Sequence, residues 1–182
     1  MSDFPRLRFA RDHGPAAAPV GTDLLRLYAE VYAEPPYLEG PEQVARFSRQ
    51  LPGLWTARGF ELVRATTPAG ELVGVAYGFT MSAGEWFSDS SPAPADILAG
   101  PHFAMAEWMV RGPSRLQGIG RRLLDDMLGE RLEPWAVLMV NPAAAAHGIY
   151  LRNGWRRVGI STPPLFPEMD VLALALRWPE AR

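Results

Sequence analysis

The sequence predicts an α/β fold, specifically an α+β mixed sheet with helices on both faces, in the order β-α-α-β-β-β-α-β-α-β-β. Three observations predict it. Short apolar runs alternate along the chain with stripes of helical spacing. The run Phe103 to Val110 leads into Arg115-Leu116-Gln117-Gly118-Ile119-Gly120 and then into the helix-like Arg121 to Leu128, a strand–loop–helix junction. The 182 residues, 48% of them hydrophobic, are enough for one compact domain spanning residues 1–182, and no internal repeat marks a second.

Arg6-Leu7-Arg8-Phe9-Ala10 alternates polar and apolar residues and reads as the first strand. The Gly-, Pro- and Ala-rich stretch 14–21 is a linker. Thr22 or Asp23 can cap a helix whose stripe is Leu24, Leu25, Leu27, Tyr28 and Val31, and Pro35-Pro36 ends it. A shorter helix spans Pro41 to Gln50, with proline at its start. Phe60 to Ala65 and Glu71 to Phe79 are strands joined by a turn at Pro68-Ala69-Gly70. Residues 81–101 form a long irregular segment. Phe103 to Val110 is the next strand, followed by a helix from about Gly118 to Leu132. Trp135 to Val140 is a buried strand, the alanine run from Pro142 opens a helix through Tyr150, and Gly154 caps it. Strands around Arg156 to Ile160 and Val171 to Leu176 close the chain. Periodicity alone leaves the order of strands in the sheet open.

Composition removes several chemistries. Twenty acidic residues against 18 basic ones give a formal charge of −2, which is no footprint for nucleic acid. No apolar run approaches the roughly 20 residues of a membrane span. Met1 to Asp12 lacks an apolar signal core, so a soluble cytoplasmic protein is the expectation. The absence of cysteine excludes thiolate nucleophiles and cysteine metal sites. All 18 basic residues are arginine, which excludes a lysine Schiff base and a lysine-bearing P-loop. His13, His102 and His147 are too scattered for a zinc cluster, so no metal site is expected.

The junction at residues 115–122 carries the chemistry that remains. A helix start exposes unpaired backbone N–H groups at its positive end, which suits a phosphate or pyrophosphate. Glycine lets the backbone approach such a ligand without a Cβ in the way. With no lysine in the chain, backbone amides and arginine must supply the grip.

With these residues laid out, the chain resembles the GNAT acyltransferases. Their Arg/Gln-x-x-Gly-x-Gly/Ala signature is met by Arg115-x-x-Gly118-x-Gly120, between a strand and a helix. A second landmark, a helix ending in Tyr and then Gly plus an aromatic, is met by Tyr150-Leu151-Arg152-Asn153-Gly154-Trp155. The resemblance covers roughly residues 55–178. Phe103 to Val110 and Asn153 to Gly159 further resemble an actinomycete branch of that family. Two positions depart from the pattern: Leu116 stands where glycine is common, and Ala143 where asparagine is common, with Asn141 two residues earlier as its substitute.

The resemblance implies a GNAT-like acyl-CoA N-acyltransferase fold and an N-acetyltransferase that moves an acetyl group from acetyl-CoA directly to a primary amine of a small molecule or protein. It implies that Gln117, Gly118, Ile119, Gly120 and Arg121 hold the pyrophosphate through the backbone, with Arg115 adding charge. Trp108, Met109 and Val110 would pair through the backbone with the pantetheine arm, and an amide near Val110 would stabilise the oxyanion. Tyr150 is the candidate general acid, against a plain core aromatic. Glu107 is the candidate base, against a solvated or arginine-paired carboxylate, or a water-mediated route. Tyr32, Tyr37, Trp86 and Phe87 either wall an acceptor pocket or pack the core. His102 reads as a loop residue and His147 is given no chemistry. The expected partners are acetyl-CoA and an amine acceptor, without nucleic acid or membrane, and the family also admits a homodimer. The alternative function is a non-catalytic acyl-CoA-binding sensor or interaction module on the same fold.

Overall fold

The computed structural model describes residues 7–176. In chain order the elements are β1 (Arg8–His13), α1 (Gly21–Tyr32), α2 (Pro41–Leu54), β2 (Glu61–Thr66), β3 (Leu72–Met81), the short α3 (Ala95–Leu98), β4 (His102–Val110), α4 (Ile119–Leu128), β5 (Trp135–Val140), α5 (Ala145–Arg152), β6 (Arg156–Ser161) and β7 (Met169–Ala175). The strands form a seven-stranded sheet in the order β1-β2-β3-β4-β5-β7-β6. Every neighbouring pair is antiparallel except β4 and β5, which run parallel. No helix among the described residues is long and apolar enough to cross a membrane.

One face of the sheet is covered by α4 and α5, whose Ile119, Leu123, Met127 and Tyr150 pack on Val63, Ala76, Phe103 and Leu138. The other is covered by α1 and α2, whose Leu24, Leu27, Tyr28, Phe47 and Leu51 pack on Leu62, Val75, Tyr77 and Met109. Burial on both faces explains why β3 reads as an unbroken apolar run, with no polar alternation. Its Gly74 lets α4 settle close, since a Cβ there would lie 3.1 Å from Leu123 Cδ1 and 3.2 Å from Ile119 Cγ2.

Two irregularities of β4 shape the interior. Opposite β3, the register passes from Gly78–Met105 to Tyr77–Glu107, so Ala106 is an extra, unpaired residue. This bulge flips the strand. Phe103 and Met105 face α4 and α5, whereas Met109, an even number of positions further on, faces α1 and α2. Opposite β5, pairing is limited to Phe103–Ala136 and Ala104–Val137. Beyond that point β5 continues against β7 and β4 diverges from it.

Several boundaries differ from the sequence expectation. The Arg6 start of the first strand lies outside the described residues, and β1 continues past Ala10 to His13 because Arg8 to His13 pair with Glu61 to Thr66. The linker over 14–20 coils into a 3-10 turn that runs straight into α1, so Thr22 and Asp23 lie inside the first turn and neither caps it. The helix expected to reach Leu132 ends at Leu128, where Gly129 closes it through the Asp125 carbonyl. The chain must leave the helix there because Arg131 turns inward to Glu61 and Glu133. The irregular segment 81–101 contains α3, which buries Ile97 completely. Helix α5 begins at Ala145, after a turn in which the Ala143 amide donates to Asn141 Oδ1 at 2.9 Å.

Candidate functional site

Where β4 leaves β5, its outer backbone edge faces no strand, and the gap opens into a cavity of about 330 Å³. Met105, Ala106, Glu107 and Trp108 line it from β4, and Leu138, Met139 and Val140 from β5. The strand then turns through Gly112–Ser114 into the loop before α4. Leu116, at φ 63°, is fully exposed, and Gly118, at φ 78°, occupies the left-handed region as the residue preceding α4. The first helical bond runs from Arg122 N to Gly118 O at 3.0 Å. The amides of Ile119, Gly120 and Arg121 therefore have no intrahelical acceptor, and no side chain caps them. No acidic residue occupies this first turn, which leaves the positive end of the helix uncompensated. A depression of about 490 Å³ adjoins it, lined by Leu7, Phe9, Leu116, Gln117, Gly118, Ile119 and Arg122.

The two motif glycines serve different ends. Gly118 has open space around its would-be Cβ and is needed for its backbone angle. Gly120 is needed for packing: a Cβ there would fall 2.8 Å from Trp108 Cζ2, and Trp108 Nε1 donates to the Gly120 carbonyl at 3.0 Å. Trp108 thus ties the splayed strand to the start of α4.

Inside the cavity, Tyr150 and Glu107 approach from different faces of β4. Tyr150 is 5% exposed, its ring 5.4 Å from those of Trp108 and Trp155. Among the described residues its hydroxyl makes no hydrogen bond, and burial, reinforced by Tyr37 and Glu107, keeps it protonated well above the usual phenol range. Glu107, turned by the bulge towards α1, accepts a hydrogen bond from the Tyr32 hydroxyl. Burial pushes its carboxyl up to about 8; the Tyr32 bond opposes that rise and the charge of Glu39 adds to it. Glu107 is half-buried, and among the described residues its side-chain partner is the Tyr32 phenol, with no arginine in ion-pair distance. In the same chamber the Tyr28 hydroxyl donates to Glu39 Oε2 at 2.6 Å.

Of the residues singled out from sequence, Glu107, Trp108, Asn141 and Tyr150 meet at the inner cavity, and Gln117, Gly118 and Ile119 at the outer depression. Met109 is 1% exposed in the α1–α2 core and Ile119 is 4% exposed, so each could serve a ligand only through its backbone. The exposed Arg115 is held by two contacts: Nε donates to the Val110 carbonyl at 2.9 Å and Nη1 pairs with Glu34 at 2.5 Å. Arg121 is exposed, with Asp125 at 3.6 Å. Asn141 Oδ1 holds the turn before α5. Phe87, Tyr32 and Tyr37 line the cavity, whereas Trp86 packs on Phe87 and His102 and donates to the Ser91 carbonyl. His102 is wholly buried and His147 bonds Asp170 Oδ2 at 2.9 Å. Among the described residues no cluster of His, Cys, Asp or Glu could hold a metal ion. Tyr28, Glu39, Arg46 and Phe166 also line the cavity and were not singled out. Tyr28 and Tyr32 stand one helical turn apart, a signal that could have marked a shared face; Glu39 carries none.

Solved structures share this architecture. A GNAT-family acetyltransferase from Staphylococcus aureus Mu50 is similar at a TM-score of 0.66, with 13% identity, over 94% of this chain and 99% of that one. The ribosomal-protein-S18-alanine N-acetyltransferase of Escherichia coli is similar at 0.61, with 15% identity, over 94% and 96%. PaiA N-acetyltransferase from Thermoplasma acidophilum, solved in complex with coenzyme A, is similar at 0.60, with 9% identity, over 93% and 98%. At such identities the likeness bears on the fold: a mixed α/β fold with a seven-stranded sheet, matching GNAT acyl-CoA N-acyltransferase structures. No protein-family model matches the chain, and no curated protein does.

Proposed function

We propose that this protein is an acetyl-CoA-dependent N-acetyltransferase that passes an acetyl group directly to a primary amine. The observation that carries the reading is the placement of Tyr150 and Glu107 on either side of β4, in the gap left where it diverges from β5, next to the uncapped start of α4. The coenzyme would supply the acetyl group as an activated thioester. The free amides of Ile119, Gly120 and Arg121 are the seat for its diphosphate, and the unpaired edge of β4 from Trp108 to Val110 faces the pantetheine. Arg115, which the resemblance assigns to that diphosphate, holds the loop to Val110 and Glu34 and adds its charge from an exposed position, so most of the grip rests on the backbone.

Glu107, as carboxylate, takes the proton that the ammonium of the acceptor must lose before its nitrogen can attack the thioester carbon. A new C–N bond forms, the C–S bond breaks, Tyr150 gives its hydroxyl proton to the departing sulfur, and the second proton shed by the nitrogen restores the Tyr150 hydroxyl. A backbone amide near Val110 is the donor for the oxyanion. The chain has no cysteine, so the acetyl group has no thiol on the protein on which to rest.

Thermal unfolding with and without acetyl-CoA, together with free-thiol release across an amine panel, tests the reading. Saturation at about 100 times Kd should stabilise the fold by roughly 2.7 kcal/mol. Heat protection accompanied by thiol release supports an enzyme. Protection without release from any amine favours a binding module, and no protection removes the coenzyme altogether.

A further inference from the structure

The chamber beyond Glu107 has its own chemistry. Its walls are aromatic: Tyr28 stacks on Phe47 with ring centroids 4.0 Å apart and an interplanar angle of 10°, and Tyr32 meets Tyr37 edge-on at 4.7 Å. Phe87 and Phe166 also line it. Into this apolar space face two carboxylates, Glu39 and Glu107, each held by one tyrosine hydroxyl. Among the described residues neither has an arginine or histidine within ion-pair distance, although most other buried or half-buried acids of the chain do.

Among the described residues one cation, Arg46, lines the chamber; its charge reaches Tyr28, and its guanidinium is engaged on the β6–β7 connection. Its Nη1 donates to the Pro164 carbonyl at 2.7 Å, and its guanidinium lies 5.2 Å from the centre of the Phe166 ring. Gln43 Nε2 donates to the Leu165 carbonyl at 3.4 Å. These contacts clamp the β6–β7 connection onto α2, so that Pro163, Phe166 and Met169 form one wall of the chamber.

Burial holds the carboxyls of both Glu39 and Glu107 above their usual range, so a positive partner would stabilise their charged forms. Tyrosine faces favour the same charge. The charge of Glu39 makes Glu107 harder to ionise, so the pair presents one negative charge to one ammonium, which Glu39 draws in and whose proton Glu107 then takes. A second cationic centre would sit unpaired among aromatic walls, at a large desolvation cost.

We propose that the acceptor is a compact primary monoamine with a ring-sized apolar body, its ammonium drawn in by Glu39 and its hydrocarbon packed among Tyr28, Tyr37 and Phe166, and that polyamines and peptide amino termini are excluded. The proposal rests on the acetyl-transfer reading for its reaction, but not for its binding.

Calorimetry on the full chain saturated with coenzyme A, which cannot react, separates the two. The probes are phenethylamine, its neutral counterpart phenethyl alcohol, spermidine and tetra-alanine with a free amino terminus. Phenethylamine should bind at least about tenfold more tightly than the other three, and Glu39→Gln, which keeps an acceptor for Tyr28, should weaken it by about tenfold. Heat protection by coenzyme A should be unchanged in that variant, which shows that it folds; if it does not fold, the rank order on the natural protein decides alone. Absent phenethylamine binding, equal binding of the alcohol, tighter binding of spermidine or tetra-alanine, or indifference to Glu39→Gln in a folded variant each overturns the proposal. Acetyl transfer is read separately by thiol release: phenethylamine bound without release sinks the reaction and keeps the acceptor class, whereas release with spermidine or tetra-alanine alone sinks the class and keeps the reaction.

Discussion

The Tyr32 hydroxyl donates to Glu107 from the last turn of α1, joining a helix on one face of the sheet to the residue just after the bulge in β4. That single bond stabilises the charged carboxylate against the burial that raises its pKa to about 8. A base must be deprotonated to act, so turnover should rise with pH through about 8 and level off above it. Tyr32→Phe removes the opposing interaction and should move that midpoint upward. A pH–kcat/KM profile of both proteins checks the direction; an unmoved midpoint would detach Tyr32 from Glu107.

Stability should follow the opposite sense. The folded-state pKa of Glu107 is raised, so the folded protein holds its proton where the unfolded chain has released it. Stability is therefore lost as pH rises from the ordinary carboxylate range to about 8. Glu107→Gln carries no such penalty. It should match the natural protein near pH 5 and unfold at a higher temperature above pH 8, while turnover falls by about 10²-fold or more. Thermal scans at several pH values give the result.

For Tyr150 the expectation is a separation of activity from fold. Its ring is wedged beside Trp108 and Trp155, and its hydroxyl has no partner among the described residues. Tyr150→Phe keeps the wedge and removes only the proton donor. The unfolding temperature and the protection by acetyl-CoA should stay as they are, with kcat reduced by about 10²-fold. A large loss of stability instead would mark Tyr150 as a structural residue.

The loop glycines should respond unequally. Gly120→Ala drives a methyl group into Trp108 and should cost about 1–3 kcal/mol, along with most of the protection by acetyl-CoA, because Trp108 anchors the loop. Gly118→Ala meets no atom and pays only for its left-handed backbone, about 1 kcal/mol. Urea titrations of the two variants, with and without coenzyme, compare them.

What could be read in advance was local. The apolar run Phe103–Val110, the glycines at 118 and 120, and the Tyr150–Trp155 landmark each announce themselves within a few neighbours, and they lie where the sequence places them. The extra residue at Ala106 could not be read, because a bulge is a mismatch between two strands and leaves no mark in one. Yet it decides which face Glu107 takes. Glu39 and Tyr28 were invisible as a pair for the same reason, being brought together by the turn after α1. The pairing of Arg115 with Glu34 depends on α1 lying beside the loop, a relation that spacing cannot express. The insertion of β7 between β5 and β6 is likewise a tertiary choice.

The same limit applies at the far end of the sheet, where a buried ion cluster replaces the helix that spacing predicts. Glu61 is 4% exposed and takes Arg11 Nη1 at 2.5 Å and Arg131 Nη2 at 3.2 Å. Arg131 also reaches Glu133 at 3.3 Å and lies 4.0 Å from the centre of the Phe103 ring, while Thr80 donates to Glu133 at 2.6 Å. The cluster pins β1, β2, β3 and the segment after α4 to the root of β4. Glu61→Gln would leave two half-buried guanidiniums short of an anion, at a cost of about 3 kcal/mol. The site lies at the other end of β4, so Kd for acetyl-CoA and the pH midpoint of turnover should hold in the folded variant. Chemical denaturation alongside coenzyme titration tests both halves, and a shifted coenzyme affinity would mean that this cluster also sets the splay of β4.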